Sequence, residues 1–163
     1  MKKYLLCLIF ALGPVQFAIA AECTMKPAKI DVHRIAREPA IQSYVIDKNK
    51  LGMTALLKDG RALKLIHMGC EHSGASASLW FDSTLPLSDS DAWSKESGNF
   101  ARIAFVPGVA SDIIASLKSG NVKTTRTESR VVISAAPNDF MNYSIIISST
   151  EHGMLLTIAY SLG

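Results

Sequence analysis

The chain is 163 residues long, 48% hydrophobic and 19% charged, with a formal net charge of +3. That length suits one domain able to bury a proper core. With no basic run and so small a charge, the chain lacks the electrostatic footprint of a nucleic-acid binder, and no nucleic-acid partner is expected.

Taken in order, the N-terminus reads as an export signal. Lys2 and Lys3 form a positive start, residues 4–12 are apolar, Gly13-Pro14 breaks the helix, and Ala18-Ile19-Ala20 is a small-x-small cleavage site. Residues 1–20 are therefore expected to be a cleaved signal peptide, with Ala21 the second choice of cut, and residues 21–163 a single domain. The apolar run falls short of the roughly 20 residues that span a bilayer, so no membrane insertion is expected after cleavage. Glu22 before Cys23 does not fit a lipid-attachment site. Loss of Lys2 and Lys3 lowers the mature net charge to +1. The short dilysine start, with no eukaryotic sorting signal, points to a secreted bacterial protein of the periplasm, where the Asn142-Tyr143-Ser144 sequon is incidental.

Cys7 leaves with the signal, so Cys23 and Cys70 remain. Two cysteines in an oxidising compartment are most simply a disulfide. It would close a loop of about 48 residues and contribute roughly 4 kcal/mol in the chain-entropy picture.

Residues 22–39 are polar and irregular, with Ile30, His33, Ile35 and Ala36 able to make one short helix or an extended arm. Residues 41–47 read as a strand. Residues 51–58 and 61–68 read as a hairpin about Asp59-Gly60, a pair suited to a type I′ turn with positive φ at both positions. Residues 69–74 read as a glycine-bracketed turn and 75–82 as the next strand. Ser88 or Asp89 can cap a helix in which Trp93, Phe100, Ile103 and Ala104 recur at near-helical spacing, to about Phe105. Pro107-Gly108 should stop it, Ser111 cap a shorter helix, and Gly120 end that one.

Residues 122–127 and 130–136 read as strands, and Pro137-Asn138-Asp139 as a turn. Residues 140–148 and 154–161 then form a second hairpin around Glu151-His152-Gly153. The expected fold is α+β: a mostly antiparallel, meandering sheet of about seven or eight strands, two consecutive helices inserted between the strand groups, and one disulfide. No internal repeat is visible.

Residues 63–74 concentrate the side chains of chemical interest. A thiolate at Cys70 beside His72 would suit a nucleophile, but a disulfide to Cys23 removes it. His67, Met68, Cys70, His72 and Met53 are ligand types that copper or zinc accept. Their spacing matches no established site, and neither CxxC nor HExxH occurs. A metal-binding protein or small enzyme using His67, Cys70 and His72 is thus the alternative reading, while His67 itself reads as a satisfied core or edge histidine. With no GxSxG or SxxK motif, no catalytic residue, metal ligand or cofactor is assigned and no enzymatic activity is expected. Asp82, Asp89, Asp91 and Glu96 form an acidic cluster: a solvated helix N-terminus, where carboxylates suit the dipole, or a patch for a basic partner. Trp80 and Trp93 read as core, or as interface anchors if exposed.

The whole-chain plan resembles small bacterial periplasmic proteins that block cell-wall enzymes: lysozyme inhibitors, and immunity proteins against secreted peptidoglycan-degrading effectors. The shared features are an export signal, one small β-rich domain, a single disulfide, no catalytic signature and near-neutral charge. The resemblance is one of architecture, and no functional residue is carried over from it. It implies a binder that occludes another protein, such as a peptidoglycan hydrolase or amidase. The first candidate contact is the turn Gly69-Cys70-Glu71-His72-Ser73-Gly74, with Glu71, His72 and Ser73 at its tip. His152 in the late hairpin turn, and Asp89 and Asp91 in the acidic linker, are second choices.

Overall fold

The structure is a computed structural model that describes residues 26–69, 72–83 and 85–163. The expected signal peptide, Cys23, Cys70 and Glu71 lie outside the described residues, and with them the expected disulfide.

The chain opens on a short helix, α1 (Val32–Arg37), resolving the choice between helix and arm. Asp31 starts it by accepting hydrogen bonds from the backbone N–H groups of His33 and Arg34. Four strands follow: β1 (Ile41–Ile46), β2 (Gly52–Leu57), β3 (Ala62–Gly69) and β4 (Ser73–Phe81). Two helices come next, α2 (Ser90–Ala104) and α3 (Pro107–Ser119). The chain then returns through β5 (Lys123–Arg126), β6 (Arg130–Asn138), β7 (Met141–Thr150) and β8 (Gly153–Leu162).

All eight strands belong to one antiparallel sheet in the order β1-β2-β3-β4-β8-β7-β6-β5. Each group of four is a meander running from an outer edge inward. The two meanders meet at the β4–β8 seam, where Ser73 pairs with Leu162 and Phe81 with Met154. Helices precede both, α1 the first and α2–α3 the second. The halves therefore share a topology although no repeat shows in the sequence.

Strand alternation decides which face is covered. Met53, Ala55 and Leu57 of β2, Leu63 and Leu65 of β3, Ala75, Ala77 and Leu79 of β4, and Leu156 and Ile158 of β8 are buried on one face. The helices lie over that face and contribute Ile35, Trp93, Phe100 and Ile113 to the same core. Arg34 ties α1 to the end of α2, its guanidinium donating to Ile103 O at 3.0 Å and Ala104 O at 2.9 Å. Those carbonyls belong to the last turn of α2, where a cation suits the helix dipole.

Asp89 caps α2 as expected, accepting from Ala92 N at 3.0 Å, and Gly120 ends α3 at φ 70°. Three local expectations are corrected. Pro107 does not stop a helix but starts α3, at a position where its missing N–H costs nothing, so Ser111 lies inside the helix rather than capping it. The Asp59-Gly60 turn is not type I′: among the described residues Lys50 is the one non-glycine residue at positive φ, and here Gly60 alone takes it, at 87°. Leu57 O accepts from Gly60 N and Leu57 N donates to Arg61 O, a three-residue connection closed by a left-handed glycine. Pro137 is not in a turn but in β6, at a register irregularity between Ala135 and Asn138 that accommodates its lack of an N–H.

Candidate functional site

The face of the sheet away from the helices carries no covering layer among the described residues. Its outer rows follow from the register. One row runs Leu56, Ala62, Trp80, Leu155, Ser148 across β2, β3, β4, β8 and β7. Two residues along β3 from Lys64, Ile66 begins a row of small residues, Ser76, Ala159, Ser144 and Ser134. Met68 stands beyond it. The small residues hold the middle of the face low, and Ser78 and Thr157 link their hydroxyls across the seam at 3.0 Å.

The large apolar residues stand above that floor. Trp80 is 48% exposed, Met68 46%, Leu56 40% and Ile66 39%. These four lie on β2–β4, and Val45 of β1, 73% exposed and paired with Thr54 on the same face, joins them in the first meander. Trp93 is core as expected, but Trp80 is not: it falls on the outward-pointing register of β4, one residue after buried Leu79.

One end of this face carries the turn singled out in the sequence. Gly69 pairs with Ser73, so the β3–β4 connection is only residues 70–72, and Gly74 is a strand residue rather than a turn bracket. A side chain at Gly74 would run into the backbone of Tyr160 across the seam, which is why glycine stands there. His72 is exposed beside the C-terminus, where a side chain on Gly163 would meet its imidazole. Gly163 N in turn donates to Phe140 O at 3.0 Å. Phe140, placed in a strand by its sequence, instead sits in the β6–β7 turn with 72% of its surface exposed. His72 and Phe140 thus share one corner.

The other candidates lie at the opposite end of the sheet. His152 is exposed in the β7–β8 turn, and the pairing of Phe81 with Met154 puts the chain leaving β4 toward Asp89 and Asp91 at that same end. The ten residues of β8 separate it from His72 by about 30 Å. Asp89 is committed to capping α2 and Asp91 lies in its first turn, so both have a structural role there. Glu96 bonds Arg61, which also bonds Asp59 at 2.7 Å and lies 5.7 Å from the Phe81 ring.

Behind the His72 end, on the helix side, lies a cavity of about 240 Å³. Arg34, His67, Ser73 and Tyr160 supply polar groups to it, and Leu65, Phe105 and Val109 form apolar wall. Tyr160 stacks edge-on to Phe105 at 5.1 Å, and burial raises its phenol above the ordinary value. Burial lowers the Arg34 guanidinium, against Glu38 and Asp31, but its two bonded N–H groups are already spent on α2. His67 Nδ1 lies 2.7 Å from Ala28 O, so it is satisfied within the fold. Of the ligand types named from the sequence, Met53 is core and Met68 stands on the opposite face of the sheet. Among the described residues no three His, Cys, Asp or Glu side chains come together, and no helix is long and apolar enough to cross a membrane.

Fold and surface together define an α+β protein whose sheet is covered on one side and open on the other. No protein-family model, curated protein or solved structure matches the chain.

Proposed function

We propose that the protein is an exported binding module of the periplasm, an inhibitor or immunity protein that occludes a cell-wall-degrading enzyme such as a peptidoglycan hydrolase or amidase, with no chemistry of its own. One observation carries the reading: four large apolar side chains stand exposed on one uncovered sheet face, Leu56 and Trp80 on one cross-strand row and Ile66 and Met68 four and six residues along β3 from it. Exposed apolar clusters with an aromatic anchor are what protein interfaces use.

The size of the face agrees with this. Eight strands and about seven residues of strand length give roughly 34 by 24 Å, or about 800 Å², close to the share of one partner in a standard interface. The mechanism is occlusion: the face lies over the partner's cleft, with His72 and Phe140 contacting its rim at one corner.

The test is an inhibition titration. The exported form is added to lysozymes and peptidoglycan amidases clearing suspended cell walls. One enzyme should be inhibited at near-equal stoichiometry, and Trp80→Glu should weaken that more than about tenfold with the melting temperature nearly unchanged. Failure to inhibit or capture any of these enzymes overturns the reading.

The second reading from the sequence is metal binding or a small enzyme using His67, Cys70 and His72; of these His67 lines the cavity beside Ser73. Elemental analysis and thiol titration test it. Stoichiometric copper or zinc, or a reactive Cys70, would support it; neither would remove it.

A further inference from the structure

The outer side of the helical layer, on the far side of the molecule from the open sheet face, holds a second recognition feature. Between α2 and α3 runs a cleft of about 270 Å³. Gly98 of α2 and Ile114 and Leu117 of α3 make its floor. Gly98 keeps the floor deep: a Cβ there would already stand 3.5 Å from Ile114 Cγ1.

The rim is cationic on both walls. Lys95 and Arg102 stand on α2 and Lys118 on α3, and no carboxylate lines the cleft. Lys95 and Arg102 are seven residues apart, two helical turns or about 10 Å along one face. Arg102 is held by donating to Asn99 Oδ1 at 3.0 Å. Among the described residues none of the three cations makes an ion pair; both ion pairs belong to Arg61.

An apolar floor between unpaired cations on opposite walls selects an amphipathic occupant with negative charge on both flanks. Volume narrows the choice. Small-molecule sites usually run from about 300 to 1,000 Å³, so this cleft suits the anchoring side chains of a polypeptide better than a whole ligand. The geometry points to a docking groove for an acidic amphipathic helix of a protein partner, two or three turns long, with apolar residues at i, i+4 and i+7 between Asp or Glu flanks. Such a helix would lie beside α2 and α3 as a third member of the layer. This surface is independent of the open sheet face, so the two readings stand or fall separately.

The experiment uses a fluorescein-labelled peptide of about 14 residues, with leucines at i, i+4 and i+7 flanked by glutamates, and a scrambled peptide of the same composition. Fluorescence anisotropy with the exported form should show saturable micromolar binding of the patterned peptide and at least tenfold weaker binding of the scrambled one. Lys95→Glu with Arg102→Glu, both exposed positions, should weaken binding at least tenfold and leave the melting curve in place. Gly98→Ala should narrow the cleft and weaken binding while favouring the helix. Trp80→Glu should leave peptide binding unchanged. Equal binding of both peptides, no saturable binding, or no effect of the charge reversal overturns the proposal. So does charge-dependent binding to phosphatidylglycerol vesicles without binding of the peptide, which would make the groove a membrane contact.

Discussion

The two faces of the one sheet are built from the same strands by the same alternation, yet they do different work. On the helix side, Leu57, Leu63, Leu65, Leu79, Leu156 and Ile145 are completely or almost completely buried. One residue away along the same strands, Ile66, Trp80 and Leu56 keep about two-fifths to one-half of their surface in water. Apolar residues are expected inside, so the covered face needs no special account beyond folding. The open face does: large apolar groups spread over a small-residue floor contribute little to stability there, and the proposed function gives them a use in contact with a partner.

The sharpest way to break this contrast is to truncate one residue on each side of the seam. Leu156 is fully buried in the central strand β8, so Leu156→Ala should remove about 3 kcal/mol through lost transfer energy and a residual cavity. In thermal melts that is a fall on the order of 10 °C. Trp80→Ser, on the adjacent strand but the other face, should cost about 1 kcal/mol or less while abolishing inhibition of the partner enzyme. Similar losses of stability from both variants would mean that the open face is part of the core.

Much of the contrast was legible in the chain. Turn residues at 59–60 and 151–153 located the hairpins β2–β3 and β7–β8, and Asp89 and Gly120 marked helix ends by chemistry that is local. What was not legible depends on partners distant in sequence. Which of Trp80 and Trp93 is buried turns on β4's register with β3 and β8, and residues 75–82 alternate small with larger residues whichever face is inward. Gly74 read as a turn residue because glycine is permissive, whereas its reason is the Tyr160 backbone 86 positions away. Phe140 looked like the start of a strand, but β7 begins at buried Met141, leaving Phe140 in the turn. Pro107 was ambiguous for a different reason: proline both ends helices and begins them, and only the two-residue link from Ala104 decides which. The shared topology of the two meanders leaves no trace in residue identity because each half packs against different helices.

A smaller effect tests the helical layer that makes the covered face different. Ser97 of α2 is fully buried and its hydroxyl has no hydrogen-bond partner among the described residues. A buried unsatisfied hydroxyl is a cost to the fold, and alanine is also the better helix former. Ser97→Ala should therefore raise stability by about 1 kcal/mol, read as a rise of a few degrees in the melt, with partner binding unaffected. A loss instead would mean that the hydroxyl is satisfied and that the layer is better packed than this contrast implies.

The smallest expected effect sharpens the comparison at its margin, where the β2–β3 turn clasps the helical layer to the sheet. Arg61 bridges Asp59 in the turn and Glu96 on α2. Its hydrogen bond holds the Asp59 carboxyl below the ordinary value. For Arg61, burial alone would lower the guanidinium, but Asp59 and Glu96 outweigh it and raise it, so it stays charged throughout the accessible range. The sign for Asp59 follows from its depressed value. The contribution is present above the unfolded carboxylate pKa of about 3.9 and is lost as pH falls through the lower folded value. Asp59's side chain is half exposed, which limits the effect to less than about 1 kcal/mol. Between pH 6 and pH 3 the wild type should therefore lose about 1–3 °C more in melting temperature than Asp59→Asn, which has no carboxyl to protonate. Parallel melting curves for the two proteins across that range would show that the clasp adds nothing and that packing alone holds the helices to the covered face.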